Sequence, residues 1–570
     1  MDMKKIYAFI LLAAAALPLT VGCDSLERTP ENRFSQENFW QNQDQVDYAM
    51  TAVYAIMQKP NGMARTFAYD CLGGLSCTTS NDTYLKVFAG TYDSTIAKVL
   101  NKFYLCYESV ARANNVIRNI GKANMSASLV TQYKSEARFL RAMFYNELIN
   151  LFGDVPYYDE TWDVGAQYND MLLPRAPKDS IVNLIHKDLE DAIEHLPRKW
   201  EDKWNGRATW GSAMALNGKV YLYEGKFKEA AECFEKVISS GLYQLNPDYG
   251  ALFTIPGDAC SEMIFSIQCI SDYEMAYGLP LTYHMGSKST WSNKCSGDFT
   301  AATAFVDTYE YKNGDPFSWD TAIPGKTASQ IFTSTLGGDM KTVRYTSYRD
   351  KLLQIWADRD PRLAASYILP YTNYLGSVSY VDTQMEYVIA TGVSYVNGFI
   401  EPKKGFPYLY RKFVATGDLG GLITDTEEAP INFPLIRLAD VHLMLAECYI
   451  GLGKLPEACD QINIVRKRAG VALLNSGNAN LKATTKEEVT KRLRLERKWE
   501  LACEGHSFFD LKRYHDLYGE AGTLESTAGA YGDILGTKLG TRVVVERDYL
   551  WPIPVGEIQM NPSLTQNPGW

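Results

Sequence analysis

The feature that most constrains this chain is a helix-turn-helix pattern that occurs twice at widely separated positions. In "WGSAMALNGKVYLYEGKFKEAAECFEKVIS", Ala213, Leu216, Val220 and Tyr223 recur at helical spacing, Glu224-Gly225-Lys226 supplies a turn, and Phe227, Ala230, Ala231, Phe234 and Val237 return as a second stripe. In "LIRLADVHLMLAECYIGLGKLPEACDQINIVRKRAG" the plan recurs, with a helix from about Leu438, a turn from Gly451 to Gly453, and a helix from Leu455 to Arg468. Both segments predict helix pairs, over 213–239 and 438–468. A pair of this kind cannot bury its apolar faces alone, so the two must stack on neighbours, and stacking does not require closeness in sequence.

The spacing of small residues and the glycine turn resemble a tetratricopeptide repeat, in which paired helices approach closely. Further stripes upstream extend the helical part: Val46, Met50, Val53 and Met57; Phe103, Cys106, Val110, Ala113, Ile117 and Ile120; then Ala137, Leu140, Phe144, Leu148 and Leu151. "KDSIVNLIHKDLEDAIEHLP" adds another helix, stopped by Pro197. Between about 245 and 430 the texture changes to Gly, Ser, Thr, Tyr and Pro, with runs such as "YVIATGVSYVNGFI" that read as loops and short strands. The expected fold is mainly α, with a helical scaffold at about 35–245 and 430–520 and a loop-rich variable half between. Long loops on a rigid scaffold are where binding surfaces concentrate. The end, "DYLWPIPVGEIQMNPSLTQNPGW", has four prolines against regular helix, and Trp551, Ile553, Ile558, Leu564 and Trp570 as surface to bury. A tail over 545–570 pinned to the body is expected.

The first residues, "MDMKKIYAFILLAAAALPLTVGC", place lysines before an apolar run that is shorter than the roughly 20 residues of a spanning helix. This reads as an export signal over 1–22. Gly22-Cys23 resembles a bacterial lipobox, with Leu19 one place further from the cysteine than usual, and marks Cys23 for lipidation as the first residue of a single mature domain, 23–570. A plain secreted chain with an incidental cysteine is the alternative. The net charge of −10 disfavours nucleic acid and other polyanions as partners. The other cysteines show no CxxC spacing; Cys71 with Cys77 and Cys260 with Cys269 lie in loop-like regions where bridges are open to them.

Catalytic signatures are weak. Glu496, Glu500 and Glu504 share one helical face, but Arg492, Arg494, Arg497 and Lys498 crowd the same helix. A glycosidase needs two carboxylates across a cleft, one with a raised pKa, whereas cations lower carboxylate pKa values and favour an ion-pair network. "DRDPRL" reads as a helix start with arginine partners. "PGKT" at 324–327 lacks the upstream glycine of a phosphate loop, since Asp320 stands there. The histidines form no HExxH, and no serine sits in GxSxG. Neither an enzyme nor a metal or cofactor protein is expected.

Several separated motifs, "DSLERTPENRFSQENFW" after Cys23, "EARFLRAMFYNELINLFGDVPY", "DRDPRL", "YRKF", "FPLIRLADVHLMLAECYIGLGK", "INIVRKRAG", "ERKWELACEGHSFFDLKRY" and the C-terminal stretch, together resemble the SusD/RagB family of Bacteroidetes outer-membrane lipoproteins nearly end to end. Ser507 stands where that family often has Arg. The resemblance implies a SusD-like fold and a tail packed on the scaffold. It implies a lipid-anchored protein on the outer face of the outer membrane that binds an oligosaccharide or polysaccharide without breaking it. Such a protein caps a SusC-like TonB-dependent transporter as a lid. A peptide-uptake lid of the RagB type is the alternative, and an exported glycoside hydrolase a weaker one.

The resemblance also locates ligand contacts in two loop regions. Here the first holds Tyr69, Asp70, Asn81, Asp82, Tyr84 and Tyr92, and the second Tyr273, Tyr277, Tyr283, Trp291, Trp319 and Trp356. Sugar rings lie on aromatic faces and need Asp, Asn or Arg at their hydroxyl edges. Trp291 and Trp319, each among polar and turn-forming neighbours, are the leading stacking platforms, although any of these aromatics can equally serve to pack the loops.

Overall fold

The computed structural model describes residues 39–570, apart from 60–61, 65, 79–82, 272–275, 288, 293, 340–341, 392–398, 401–407, 417–422, 424, 533–534 and 536–537. The leader, Cys23, Asn81, Asp82 and Tyr273 lie outside the described residues.

Helices dominate. We number the scaffold helices α1 (Gln43–Gln58), α2 (Ala97–Asn119), α3 (Ala127–Phe152), α4 (Lys178–His195), α5 (Trp210–Tyr223) and α6 (Phe227–Ser239). After the variable half come α7 (Leu438–Gly451), α8 (Leu455–Ala469), α9 (Lys486–Glu500) and α10 (His506–Tyr518). Side chains start several of these: Asn42 accepts from the Gln45 N–H at α1, and reciprocal capping boxes of Thr209 with Ser212 and Thr485 with Glu488 open α5 and α9. Helices α2 to α6 pack serially, each on the next, and α6 packs directly on α7, which then pairs with α8 and α9. The two helix pairs read from sequence are therefore neighbours in one stack, although the whole variable half separates them along the chain.

Their turns match. Gly225 (φ +75°) and Gly453 (φ +74°) take the left-handed conformation, and the next residue donates back across the turn, Lys226 N to Tyr221 O at 3.0 Å and Lys454 N to Tyr449 O at 2.8 Å. Close approach also needs glycine: a Cβ on Gly451 would sit 2.4 Å from the ring of Phe227, at the joint between the pairs.

The variable half is rooted on an antiparallel pair, β2 (Met263–Ile267) with β6 (Phe433–Arg437), in register Phe433 to Ile267 and Arg437 to Met263. The other strands are short; among the described residues they make five more two-stranded pairs and one four-stranded sheet. Three more are used below: β1 (Ser76–Thr78), β3 (Phe299–Ala301), and the hairpin of β4 (Asn373–Val378) with β5 (Val381–Glu386). One core runs from Trp40 to Leu564 through both halves, and a smaller cluster lies under α7, α8 and α9.

Hydrogen bonds tie the tail to the end of α3. Trp551 N donates to Leu151 O at 2.7 Å, and the Asn567 amide donates to Phe152 O at 2.9 Å and Trp551 O at 2.7 Å, closing the end of α3. Trp570 donates to Leu550 O at 2.8 Å and lies under the Arg547 guanidinium at 4.2 Å. The cysteines with spacing open to bridges, Cys71 with Cys77 and Cys260 with Cys269, are not joined by disulfides.

Candidate functional site

Acid–base chemistry can be set aside first. Glu496, Glu500 and Glu504 are fully buried, and so are their partners Arg362, Arg437, Arg466 and Lys412. Arg437 reaches Glu262 at 2.9 Å, Glu500 at 2.6 Å and Glu504 at 2.7 Å; Arg362 reaches Asp360, Glu496 and Glu500. Burial alone would raise the pKa of Glu500, but Arg468, Arg437 and Arg362 outweigh it and hold the carboxyl far below its usual range. No sugar reaches these groups; the network clasps the root of the variable half, because Glu262, just before β2, and Arg437, the last residue of β6, stand side by side at one end of that pair. Asp360 starts a short helix at Pro361 by accepting from Arg362 N at 2.9 Å, and Thr327 of "PGKT" caps another helix. Both motifs are structural.

The two predicted loop regions meet in space, because β1 pairs antiparallel with β3 in register Cys77 to Thr300. From β3 the surface continues by contacts. His284 meets Phe299 ring to ring at 6.0 Å, and the Ser296 N–H donates to Tyr283 O at 2.7 Å. The Trp291 loop then lies on the β4–β5 hairpin: Ser289 Oγ bonds Tyr374 OH at 2.7 Å, and Ser292 bonds Ser377 through its N–H at 2.9 Å and its hydroxyl at 2.8 Å. Gly376 permits this approach, since a Cβ there would be 2.4 Å from Ser289 O.

Ser379 (φ +50°) and Tyr380 (φ +63°) join β4 to β5 in a two-residue turn with both residues left-handed, a conformation that favours Asn-Gly. A tyrosine held there is strained, and the strain is stabilised locally: its N–H donates to Ser292 Oγ at 2.7 Å, and its ring meets Trp291 edge to face at 5.4 Å. Tyr380 is 56% exposed and Val381 beside it 64%. The aromatic ring presented to solvent is thus Tyr380, a residue the sequence reading does not single out. Trp291 is only 8% exposed and supports it from below. The Trp291 Nε1–H is buried with no acceptor among the described residues.

Other predicted residues fall on both sides of the line between site and core. Tyr277 is exposed on a two-residue strand, and the 426–428 turn links its segment to the Trp291 loop, with Gly278 N donating to Glu428 at 2.8 Å and Thr426 Oγ1 to Lys294 O at 3.4 Å. Tyr283 is half-buried in the same loop region. Trp319, by contrast, is clasped edge to face by Phe317, Phe332 and Trp356, and donates to Asp307 at 3.1 Å. Trp356 is buried, donating to Pro370 O. Phe332 also accepts from Tyr371, just before β4, so Trp319 lies at the base of the hairpin and Trp291 at its tip. Strand β4, six extended residues or about 20 Å long, lies between the two places where these tryptophans pack, so they belong to different parts of the hairpin.

The first loop region is mostly core. Tyr69 donates to Glu147 at 2.9 Å beneath Phe508 and Phe509, and Asp70 is fully enclosed, accepting from the Cys503 N–H at 2.5 Å. Burial raises Asp70 to about 8, against the opposing pull of that N–H. Tyr92 is buried against Trp570 at 4.7 Å, as part of the tail's seat. Their surfaces are occupied by packing, which corrects the expectation that they face a ligand. Tyr84 lies on the helix Thr83–Ala89.

Comparisons with known proteins agree with this architecture. The family described as "SusD family" matches residues 261–570, and one described as "Starch-binding associating with outer membrane" matches residues 24–222. The chain is 26% identical to SusD-like protein P2 of Formosa agariphila over 96% of this chain and 97% of that one. It is 24% identical to the starch-binding protein SusD of Bacteroides thetaiotaomicron, over 78% of this chain and 74% of that protein. The crystal structure of a SusD-like carbohydrate-binding protein from Bacteroides fragilis superimposes with a TM-score of 0.74 at 22% identity, covering 92% of this chain and all of the other. Since the first match alone spans more than half of the sequence, from residue 261 to 570, the chain belongs to the SusD family, a group of binding proteins with a mainly α fold.

Proposed function

We propose that this protein captures a glycan at the bacterial cell surface and acts as the lid of a SusC-like, TonB-dependent outer-membrane transporter, held by a lipid on Cys23. The observation that carries the glycan reading is Tyr380: an exposed aromatic ring fixed in a strained turn, with Trp291 behind it and Tyr277 and Tyr283 on adjoining segments. A rigid ring binds a flat sugar face at little entropic cost, because its position is set before the ligand arrives. Support for the membrane setting comes from the family description, which names the outer membrane. No helix among the described residues is long and apolar enough to cross a membrane, and the lipid supplies the attachment.

Two measurements test this. A glycan array with the mature chain should return a polysaccharide or oligosaccharide ligand whose binding falls on Tyr380→Ala; binding of peptides alone would refute the reading in favour of a peptide-uptake lid. In the native host, Cys23→Ala should release the protein from the outer membrane and abolish its co-purification with the transporter. A mutant that still carries lipid would exclude Cys23 as the anchor.

A further inference from the structure

A separate surface lies on the scaffold, in the connection between α4 and α5, where "RKWEDKWNGRAT" spans residues 198–209. Arg207 organises it. Its guanidinium lies over the rings of Tyr133 at 4.3 Å, Trp200 at 4.3 Å and Trp204 at 5.0 Å, and its Nε donates to the buried Glu136 at 2.8 Å. Trp200 is fixed further by donating to Ala208 O at 2.7 Å. Gly206 (φ +93°) presses the loop onto Gln268, where a Cβ would lie 2.3 Å from the side chain.

The loop stands as a ridge with a hollow on either side. A cavity of about 410 Å³ is lined by Trp200, and one of about 220 Å³ by Trp204; Asn205, Arg207, Ser266 and Gln268 border both. Each indole is half-buried, so one ion-paired arginine holds two aromatic surfaces toward two adjoining hollows. Ser266, only 4% exposed at the shared floor, has a hydroxyl with no hydrogen-bond partner among the described residues. The larger hollow is bordered by Arg198 and Asp202 and the smaller by Asp47 and Arg207, in both cases beside the amides of Asn205 and Gln268. Groups of both signs beside amides suit hydroxyls, which donate and accept, better than a polyanion.

We propose that the 198–209 ridge is a second carbohydrate site, taking neutral polysaccharide with Trp200 and Trp204 as its two stacking platforms. The proposal rests on the glycan-binding reading but uses a different surface. Two sites on one chain hold a long polymer far better than a short oligosaccharide, because the second contact becomes intramolecular.

The test is native affinity electrophoresis of the mature chain in gels cast with starch, laminarin, xyloglucan or mannan. Trp200→Ala and Trp204→Ala should each weaken retardation by about tenfold, Trp200→Phe should restore most of it, and melting curves should confirm that each variant is folded. A Tyr380→Gly chain should keep residual retardation that Trp200→Ala removes. Unchanged retardation of both tryptophan variants, in a gel that retards the wild type and in which Tyr380→Gly does not, overturns this proposal and leaves the hairpin surface standing. Loss in the ridge variants with no effect of Tyr380→Gly upholds the ridge and removes the hairpin. Wild-type migration unaffected by all four polysaccharides overturns both.

Discussion

Trp291 stands edge to face against Tyr380 at 5.4 Å, the first buried and the second exposed at the tip of a hairpin. This asymmetry separates two roles that sequence alone merges. Tyr380→Gly removes the exposed ring and relieves a left-handed tyrosine, whose strain is roughly 1–2 kcal/mol. Stability should therefore change by less than about 1 kcal/mol, since glycine's greater unfolded-state freedom offsets part of the relief. Glycan binding should weaken by about 1 to 3 kcal/mol, by analogy with bases stacked on aromatic side chains. Trp291→Ala should instead cost about 3 to 5 kcal/mol of stability, as for a buried aromatic. Isothermal titration with denaturant melts on both variants checks the pair; equal effects on stability would contradict the division.

The scaffold was legible because its signal is periodic: the stripe from Ala213 to Val237 and its counterpart after Leu438 admit one reading, and the structure stacks them. The site was less so, for a physical reason seen at Trp291. Its polar neighbours suggested solvent, yet Ser289 and Ser292 use their hydroxyls to bind Tyr374 and Ser377 of the hairpin. Polar residues mark exposure only when their hydrogen bonds go to water. Tyr380 gave no signal because its turn is Ser-Tyr, without the glycine or asparagine that announces such hairpins. Tyr69 and Asp70 sit where the family resemblance places ligand contacts, but a four-residue helix folds them inward under Phe508.

The ion network makes a second prediction. Arg437 faces Glu262, Glu500 and Glu504 in a buried setting, so Arg437→Met takes one cationic partner from each of three buried carboxylates. Breaking a buried pair from one side costs about 3 to 5 kcal/mol. Urea titration should show that loss, while glycan affinity of the folded fraction stays unchanged. Glu504 is likewise held low, Arg437 and Lys412 outweighing the effect of burial. For such groups the stabilisation is complete above the unfolded value near pH 4.3 and disappears as pH falls below it. Wild-type stability should drop on acidification below about pH 4.3, and the variant should show a shallower drop.

Asp70 runs in the opposite direction. Its carboxyl is raised to about 8 by burial, and its second oxygen has no hydrogen-bond partner among the described residues. The folded state therefore keeps a proton that the unfolded chain releases near pH 3.9, and Asp70's contribution to stability falls as pH rises from about 3.9 to about 8. Asp70→Asn keeps an acceptor for the Cys503 N–H and removes the titration. The variant should match the wild type near pH 4 and become progressively more stable than it toward pH 8. Melting temperatures across that range check the sign; a difference that shrinks with rising pH would contradict it.

The tail supplies the last prediction. Asn567 donates to Phe152 O and Trp551 O, and its own oxygen accepts from Arg175 at 2.5 Å. One amide thus ties the end of α3, the start of the tail and the Arg175 segment together, and it is buried. Asn567→Ala leaves two carbonyls and a guanidinium short of partners, at about 1 to 3 kcal/mol for unsatisfied buried groups. Asn567→Asp removes the donors but keeps an acceptor for Arg175, so it should retain part of that stability. Because Tyr92 packs on Trp570 at the same seat, loosening the tail should also expose Tyr92. Hydrogen exchange at residues 548–570 should rise in Asn567→Ala, with the Tyr380 hairpin unaffected; exchange confined to the hairpin instead would show that the tail is held by its aromatic rings rather than by this amide.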